Sequence, residues 1–235
     1  MGVGMWRGQM DVAPGWRVFA PPLPGFNGRP LIEERTIDAY ARDVLTTLDA
    51  EGIDRAVFCG LSMGGYVTFG ILRQAAHRVA GLILADTRTS SDTAERNAAR
   101  RTSIELARRV GPSAIADEMI PVILGPTTHA RRPHVAATVR ALIESQSGET
   151  IAAAIEAMIN RPDSAATIAG VTVPTTIIVG DEDTITTPAD AEQMHRAIHG
   201  STLVRIPATG HMSNLEAPEE FNAALRQSLR NDFRL

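Results

Sequence analysis

The sequence predicts an α/β fold, with a mostly parallel, doubly wound sheet interrupted by a helical insertion. Short apolar, β-branched runs alternate with amphipathic helices, the pattern of successive βαβ units. Between about residues 89 and 165 that alternation stops, and no strand-like run occurs. The composition agrees with a packed domain: 235 residues, 44% hydrophobic and 21% charged, within the range of globular rather than disordered chains. At about 150 residues per domain the length allows one or two.

The elements follow in order. Trp16 to Ala20 (WRVFA) reads as a strand that ends in Pro21-Pro22-Leu23-Pro24-Gly25. Thr36 is a good N-cap, with Asp38 in the first turn of the helix it would start. Ile37, Tyr40, Ala41, Val44, Leu45 and Leu48 keep the 3.6-residue spacing of one buried face. Arg55 to Cys59 is the next strand, then a Gly-rich turn, a helix from about Gly65 to Gln74, and a strand from Val79 to Ala85 with Asp86 at its carboxyl end. Gly111-Pro112, Gly125-Pro126, Arg132-Pro133 and Gly148 punctuate the helical segment into an expected three or four helices. This segment is read as a cap, 89–165, on a core made of 1–88 and 166–235. Its Arg pairs at 100–101, 108–109 and 131–132 read as solvated helix faces. The core resumes with the β-branched strand Thr175 to Val179. Thr187-Pro188-Ala189-Asp190 then opens a helix with an N-cap, a Pro at N1 and an acid at N3. Ser201 to Ile206 is the last strand. A helix from Pro218 would turn Phe221, Leu225 and Leu229 inward.

Several chemistries are excluded at once. All 23 cationic residues are Arg, so there is no P-loop lysine, no lysine for a Schiff base and no Ser–Lys dyad. A formal net charge of −4 without a basic run argues against nucleic acid as a partner. One cysteine, Cys59, precludes an internal disulfide and a Cys-based zinc cluster, and it reads as a packed strand residue. His195 and His199 are four apart, but Arg196 breaks the metalloprotease pattern, so they read as solvent-facing. The first residues lack the apolar core of a signal peptide, and no apolar run reaches the roughly 18 residues of a membrane span. Position 6 is Trp where a myristoylation start needs Ser or Thr. A cytoplasmic protein without membrane partners is expected.

The chemistry concentrates at Gly60-Leu61-Ser62-Met63-Gly64-Gly65, where a strand meets a helix. The G-x-S-x-G spacing places a serine on a strained turn above the sheet, with glycines at 60 and 64 expected to let strand and helix approach. The helix N-terminus behind it aims N–H groups at developing negative charge. Such a serine needs a base, and the base needs an orienting acid. His211 follows the last strand, and Asp183 follows Thr175–Val179. Both lie at the carboxyl ends of expected parallel strands, where open α/β sheets place ligands. The expected triad is Ser62–Asp183–His211, with Asp181 and Asp86 as the other candidate acids.

The blocks GLSMGG, VGDEDTITTP and GHMSNLEAPEEFN resemble the α/β-hydrolase superfamily, in particular small-molecule carboxylesterases and 3-oxoadipate enol-lactonase-like hydrolases, from about Met5 to the C-terminus. The resemblance implies Asp183 as the acid, by its G-x-x-D pattern. It also implies a backbone oxyanion donor at Met63, no metal and no organic cofactor. The substrate class it implies is a small ester or lactone. Carbon–carbon hydrolysis and perhydrolysis use the same triad in similar folds. Relatives also carry a His-Gly loop and three strands ahead of the segment matching Met5-Trp6-Arg7. By this reading the chain lacks about 25 to 40 such residues. Where relatives usually show Asp-x-x-G-x-G-x-S, it reads Pro22-Leu23-Pro24-Gly25-Phe26-Asn27-Gly28-Arg29. Two expectations follow. The strand Arg55–Cys59 should expose an edge through which copies of the chain could associate. A missing oxyanion donor would cost on the order of 10²- to 10³-fold in rate. The alternative to an active hydrolase is therefore a triad-bearing but catalytically weak binding module.

Overall fold

The computed structural model describes residues 2–231. A 3₁₀ helix, Val3–Gln9, opens the described chain. After a loop come α1 (Ile37–Ala50), β1 (Ala56–Leu61), α2 (Met63–Ala75) and β2 (Val79–Ala85). Between β2 and the next strand lie α3 (Ala94–Arg109), α4 (Pro112–Ile123), α5 (Pro126–Arg131), α6 (Pro133–Glu144) and α7 (Gly148–Ile159), the helical segment called the insertion below. Then follow α8 (Ala165–Ala169), β3 (Thr175–Gly180), α9 (Pro188–Ala197), β4 (Thr202–Ile206), α10 (Ser213–Glu216) and α11 (Pro218–Asn231).

Among the described residues the sheet has four strands, all parallel, in the order β1-β2-β3-β4. The register pairs Leu61 with Ala85, Ala85 with Ile178, and Gly180 with Ile206. All four carboxyl ends therefore come out along one rim. Alternation along the strands divides the apolar residues between two layers. Leu82, Leu84, Ile177 and Val179 pack with Tyr40, Phe69 and Met194 of α1, α2 and α9. Ile83, Ala85, Ile178 and Ile206 face the other way, toward Phe221 of α11, Met5 of the 3₁₀ helix, and the insertion's Ile104, Ile115 and Ile143.

Local signals explain most boundaries. Thr36 caps α1 by accepting from the Ala39 amide, and Thr187 and Asp190 form a reciprocal capping box at α9. Pro112, Pro126 and Pro133 each open a helix, so the insertion holds five helices between 94 and 159, not three or four. The Arg pairs are also split in use: Arg100, Arg108 and Arg132 bind Asp92, two glutamates and the Ala208 carbonyl, while Arg101, Arg109 and Arg131 are exposed.

Trp16 to Ala20 is not a strand. Arg17, Val18 and Phe19 are exposed, and Arg17 instead pairs with Glu51. A strand is stabilised by a neighbour, and no strand of the described residues lies beside this segment. For the same reason β1 has a partner on one side only, and Cys59 is exposed rather than packed. Among the described residues no helix is long and apolar enough to cross a membrane.

Candidate active site

Ser62 stands between β1 and α2 with φ 52° and ψ −114°, a left-handed backbone conformation unusual for a residue with a side chain. The strain is held from both sides. The Ser62 amide donates to the Ala85 carbonyl, and the Thr87 hydroxyl donates to the Ser62 carbonyl. A Cβ on Gly60 would lie 2.5 Å from the Gly64 carbonyl oxygen, and one on Gly65 would lie 2.3 Å from the Thr87 hydroxyl. A Cβ on Gly64 would meet nothing within 4 Å. The close approach therefore depends on Gly60 and Gly65; position 64 supplies only the backbone that Gly60 touches.

The rim created by the strand register brings the expected residues together. His211 Nε2 lies 2.8 Å from Ser62 Oγ, and His211 Nδ1 lies 2.8 Å from Asp183 Oδ2. An ionised carboxylate only accepts, so Nδ1 carries the proton and Nε2 is left to accept from the serine hydroxyl. Asp183 and His211 are buried. The carboxylate is held by the Ile185 and Thr186 amides on Oδ1, at 2.8 and 3.0 Å, and by the Thr186 hydroxyl on Oδ2 at 2.7 Å. Thr186 Oγ1 also sits 3.1 Å from His211 Nδ1. Sequence reasoning missed Thr186; its position three residues after an expected catalytic acid was the available signal.

Burial alone would push the Asp183 carboxyl up, but its hydrogen bond and charge interaction with His211 and the Thr186 donors outweigh that and leave it below the usual carboxylate range. Burial pulls His211 down, while the Asp183 hydrogen bond and charge, with Asp86 and Glu216 beyond, more than compensate and raise it. The imidazolium is thus favoured chiefly by Asp183, with Asp86 and Glu216 adding to it in their ionised forms.

The other candidate acids are engaged elsewhere. Asp181 is bound by Arg205 at 2.6 Å. Asp86, fully buried at the end of β2, accepts from the Gly180 amide at 3.0 Å and from the Ser213 amide and hydroxyl, at 3.2 and 2.5 Å. It ties the ends of β2 and β3 to the segment after His211 without bonding the imidazole. Burial, with Asp183 nearby, pushes its carboxyl up to about 7 against the opposing pull of His211. Met63 is the first residue of α2, so its amide is among those with no acceptor inside the helix. His195 bonds Ser201, and both His195 and His199 are exposed. Among the described residues no cluster of His, Cys, Asp and Glu is grouped to hold a metal ion.

Residues 2–224 match the family model described as the alpha/beta hydrolase family. The chain belongs to the alpha/beta hydrolase family. Similar proteins are hydrolases as well. The 3-oxoadipate enol-lactonase 1 of Acinetobacter baylyi is 29% identical over 229 residues, covering 93% of this chain and 80% of that protein. A thermophilic esterase of Thermogutta terrifontis, solved with malate bound, is 38% identical with a TM-score of 0.95, over 100% of this chain and 87% of that one. The enol-lactonase of Burkholderia xenovorans LB400 superposes with a TM-score of 0.88 at 28% identity, over 97% and 87% of the two chains. This α/β-fold hydrolase thus shares its architecture with proteins named as an enol-lactonase and an esterase.

Proposed function

We propose that the chain is a serine hydrolase of small carboxylic esters or lactones, acting through an acyl-enzyme on Ser62. The observation that carries this reading is the continuous chain Ser62 Oγ–His211 Nε2 and His211 Nδ1–Asp183 Oδ2, each link 2.8 Å. As Ser62 attacks the carbonyl carbon, His211 Nε2 takes its proton, and Asp183 stabilises the imidazolium that forms. The Met63 amide at the N-terminus of α2 helps hold the oxyanion. Collapse of the tetrahedral intermediate expels the alkoxide, which His211 protonates. Water then enters with His211 again as base, releasing the acid and regenerating Ser62. For a lactone the leaving oxygen stays tethered to the acyl chain throughout, so the second step releases a single hydroxy acid. The named activities of the similar lactonases and esterase support the substrate class. In this reading the insertion, 89–165, is a cap that roofs the pocket and selects substrates.

The test is hydrolysis of p-nitrophenyl acetate and of a small lactone by the wild type and Ser62→Ala, with mass spectrometry of the intact protein during turnover. The wild type should gain one acetyl group, mapped to Ser62, and Ser62→Ala should lose at least about 10³-fold in kcat. Equal turnover by both would refute the serine mechanism. Negligible turnover by the wild type would favour a binding module that merely retains the triad.

A further inference from the structure

Glu216 is buried, yet among the described residues it forms no ion pair. Its charge is met instead by four neutral donors. Oε2 accepts from the Gly125 amide at 2.9 Å, the Gly210 amide at 2.9 Å and the Thr128 hydroxyl at 2.6 Å; Oε1 accepts from the Met212 amide at 3.0 Å. Gly210 and Met212 flank His211 on either side. Gly125 and Thr128 belong to the insertion, at the start of α5. One carboxylate therefore fastens the main chain on both sides of the imidazole and fastens the insertion to the same spot.

The fit between the two segments is close. A Cβ on Gly210 would lie 2.4 Å from the Gly125 nitrogen, and a Cβ on Gly125 would lie 2.8 Å from the Gly210 nitrogen. The His211 amide donates to the Ile123 carbonyl at 2.9 Å. Thr128 Oγ1 in turn accepts from Arg132 Nη2 at 2.9 Å, and Arg132 also reaches the Ala208 carbonyl. Glu182, next to Asp183, accepts from the Thr127 amide at 2.9 Å. The loop bearing His211 is thus clamped against the 123–128 segment, and Glu216 is the acceptor on which the clamp converges.

We infer that Glu216 is a positioning residue for hydrolysis: it sets the Nε2 of His211 opposite Ser62 Oγ and couples that alignment to the base of the insertion. The inference rests on the reading of His211 as the base. Displacement of a reacting group by about 1 Å can cost 10²-fold in rate, and Glu216 is the acceptor that fastens Gly210 and Met212 on either side of the imidazole. The insertion is then fixed at 123–128, so any motion that admits substrate lies elsewhere in it.

Glu216→Gln keeps the shape but replaces one acceptor oxygen with a donor NH₂. With its carbonyl oxygen toward Gly125, Gly210 and Thr128, its NH₂ faces the Met212 amide, donor against donor. Steady-state kinetics on p-nitrophenyl acetate should show kcat lower by about 10- to 100-fold with KM within about two-fold. The acidic limb of kcat/KM should also move to lower pH, because the Glu216 charge that favours the His211 imidazolium is gone, while Asp183 remains and Asp86, raised to about 7, titrates in the same range. Thr128→Val, which removes only the insertion's hydroxyl, should lower kcat by about 2- to 10-fold with KM and the pH limb unmoved. Rates are taken per active site, titrated by the acyl burst, so loss of folded protein does not count as loss of alignment. Wild-type kcat per site in both variants would overturn the inference, as would a Glu216→Gln loss with KM raised in proportion and the limb unmoved. If Glu216→Gln does not fold, an unchanged kcat in Thr128→Val alone overturns it. Failure of the serine mechanism would be read separately, as full activity in Ser62→Ala.

Discussion

At the nucleophile elbow the backbone of Ser62 occupies a region that costs on the order of 1–3 kcal/mol for a residue with a Cβ. It is kept there by the Ala85 and Thr87 hydrogen bonds and by the contact of Gly60 with the first turn of α2. This separates two glycines, Gly60 and Gly64, that look equivalent in sequence. Gly60→Ala drives its methyl into backbone and should destabilise by about 1–3 kcal/mol or more, with loss of activity. Gly64→Ala enters open space inside a helix and should keep the fold, with a gain of up to about 1 kcal/mol from helix propensity. Urea denaturation of the two variants checks the contrast, and equal losses would refute it. A second expectation concerns pH. In the proposed mechanism hydrolysis needs neutral His211; its carboxylate neighbours raise its pKa, so protonation should disable the base at a higher pH than for an ordinary histidine. The acidic limb of kcat/KM should therefore lie at higher pH than an unperturbed histidine would give, and Asp183→Asn should lower it.

Among the elements, the root of the insertion has its own fastening. Asp92, whose side chain is fully buried just before α3, is bound by Arg88, Arg100 and Arg161, the last from beyond α7. Arg161 also donates to the Ser90 carbonyl and lies over the Tyr66 ring of α2, 4.1 Å from its centroid. Asp92→Ala would leave buried guanidinium groups without their acceptor and should destabilise by about 3–5 kcal/mol. Thermal and urea unfolding measure it, and a loss below about 1 kcal/mol would show that the carbonyl and ring contacts suffice. None of this was legible beforehand, because the partners lie up to 69 residues apart and only the fold brings Asp92 to Arg161. The sequence is informative where the signal is local. The caps at Thr36 and Thr187, the elbow glycines and the strand from Val79 to Ala85 need no distant partner to be recognised. The juxtaposition of Ser62, Asp183 and His211 was legible because each follows a strand, and the parallel register makes strand ends neighbours. Trp16–Ala20 has strand-like residues but no adjacent strand, so its propensity was overridden. Glu216 was visible only as part of a motif, since its worth lies in donors from two separate segments.

Taken whole, the core and the insertion share one apolar interior. Ile83, Ile178 and Ile206 of the sheet belong to the same cluster as Ile104, Ile115 and Ile143 of the insertion. Melting the insertion alone would expose the face of the sheet it covers, separate Asp92 from Arg161, and strip Glu216 of two of its donors. Each of these costs falls on the core as well, so the two parts should unfold in one cooperative transition. The chain offers suitable reporters for a decisive test. Both tryptophans, Trp6 and Trp16, pack against that cluster from the N-terminal segment, whereas α3 to α7 contribute much of the helix. Tryptophan fluorescence and far-ultraviolet circular dichroism should give coincident thermal curves, and the calorimetric and van't Hoff enthalpies should agree. Helix signal lost before the tryptophan environment changes would mean that the insertion melts as an independent unit. Asp92→Ala provides the internal control. If its loss of stability acts on the shared interior, both curves must move down together by the same number of degrees.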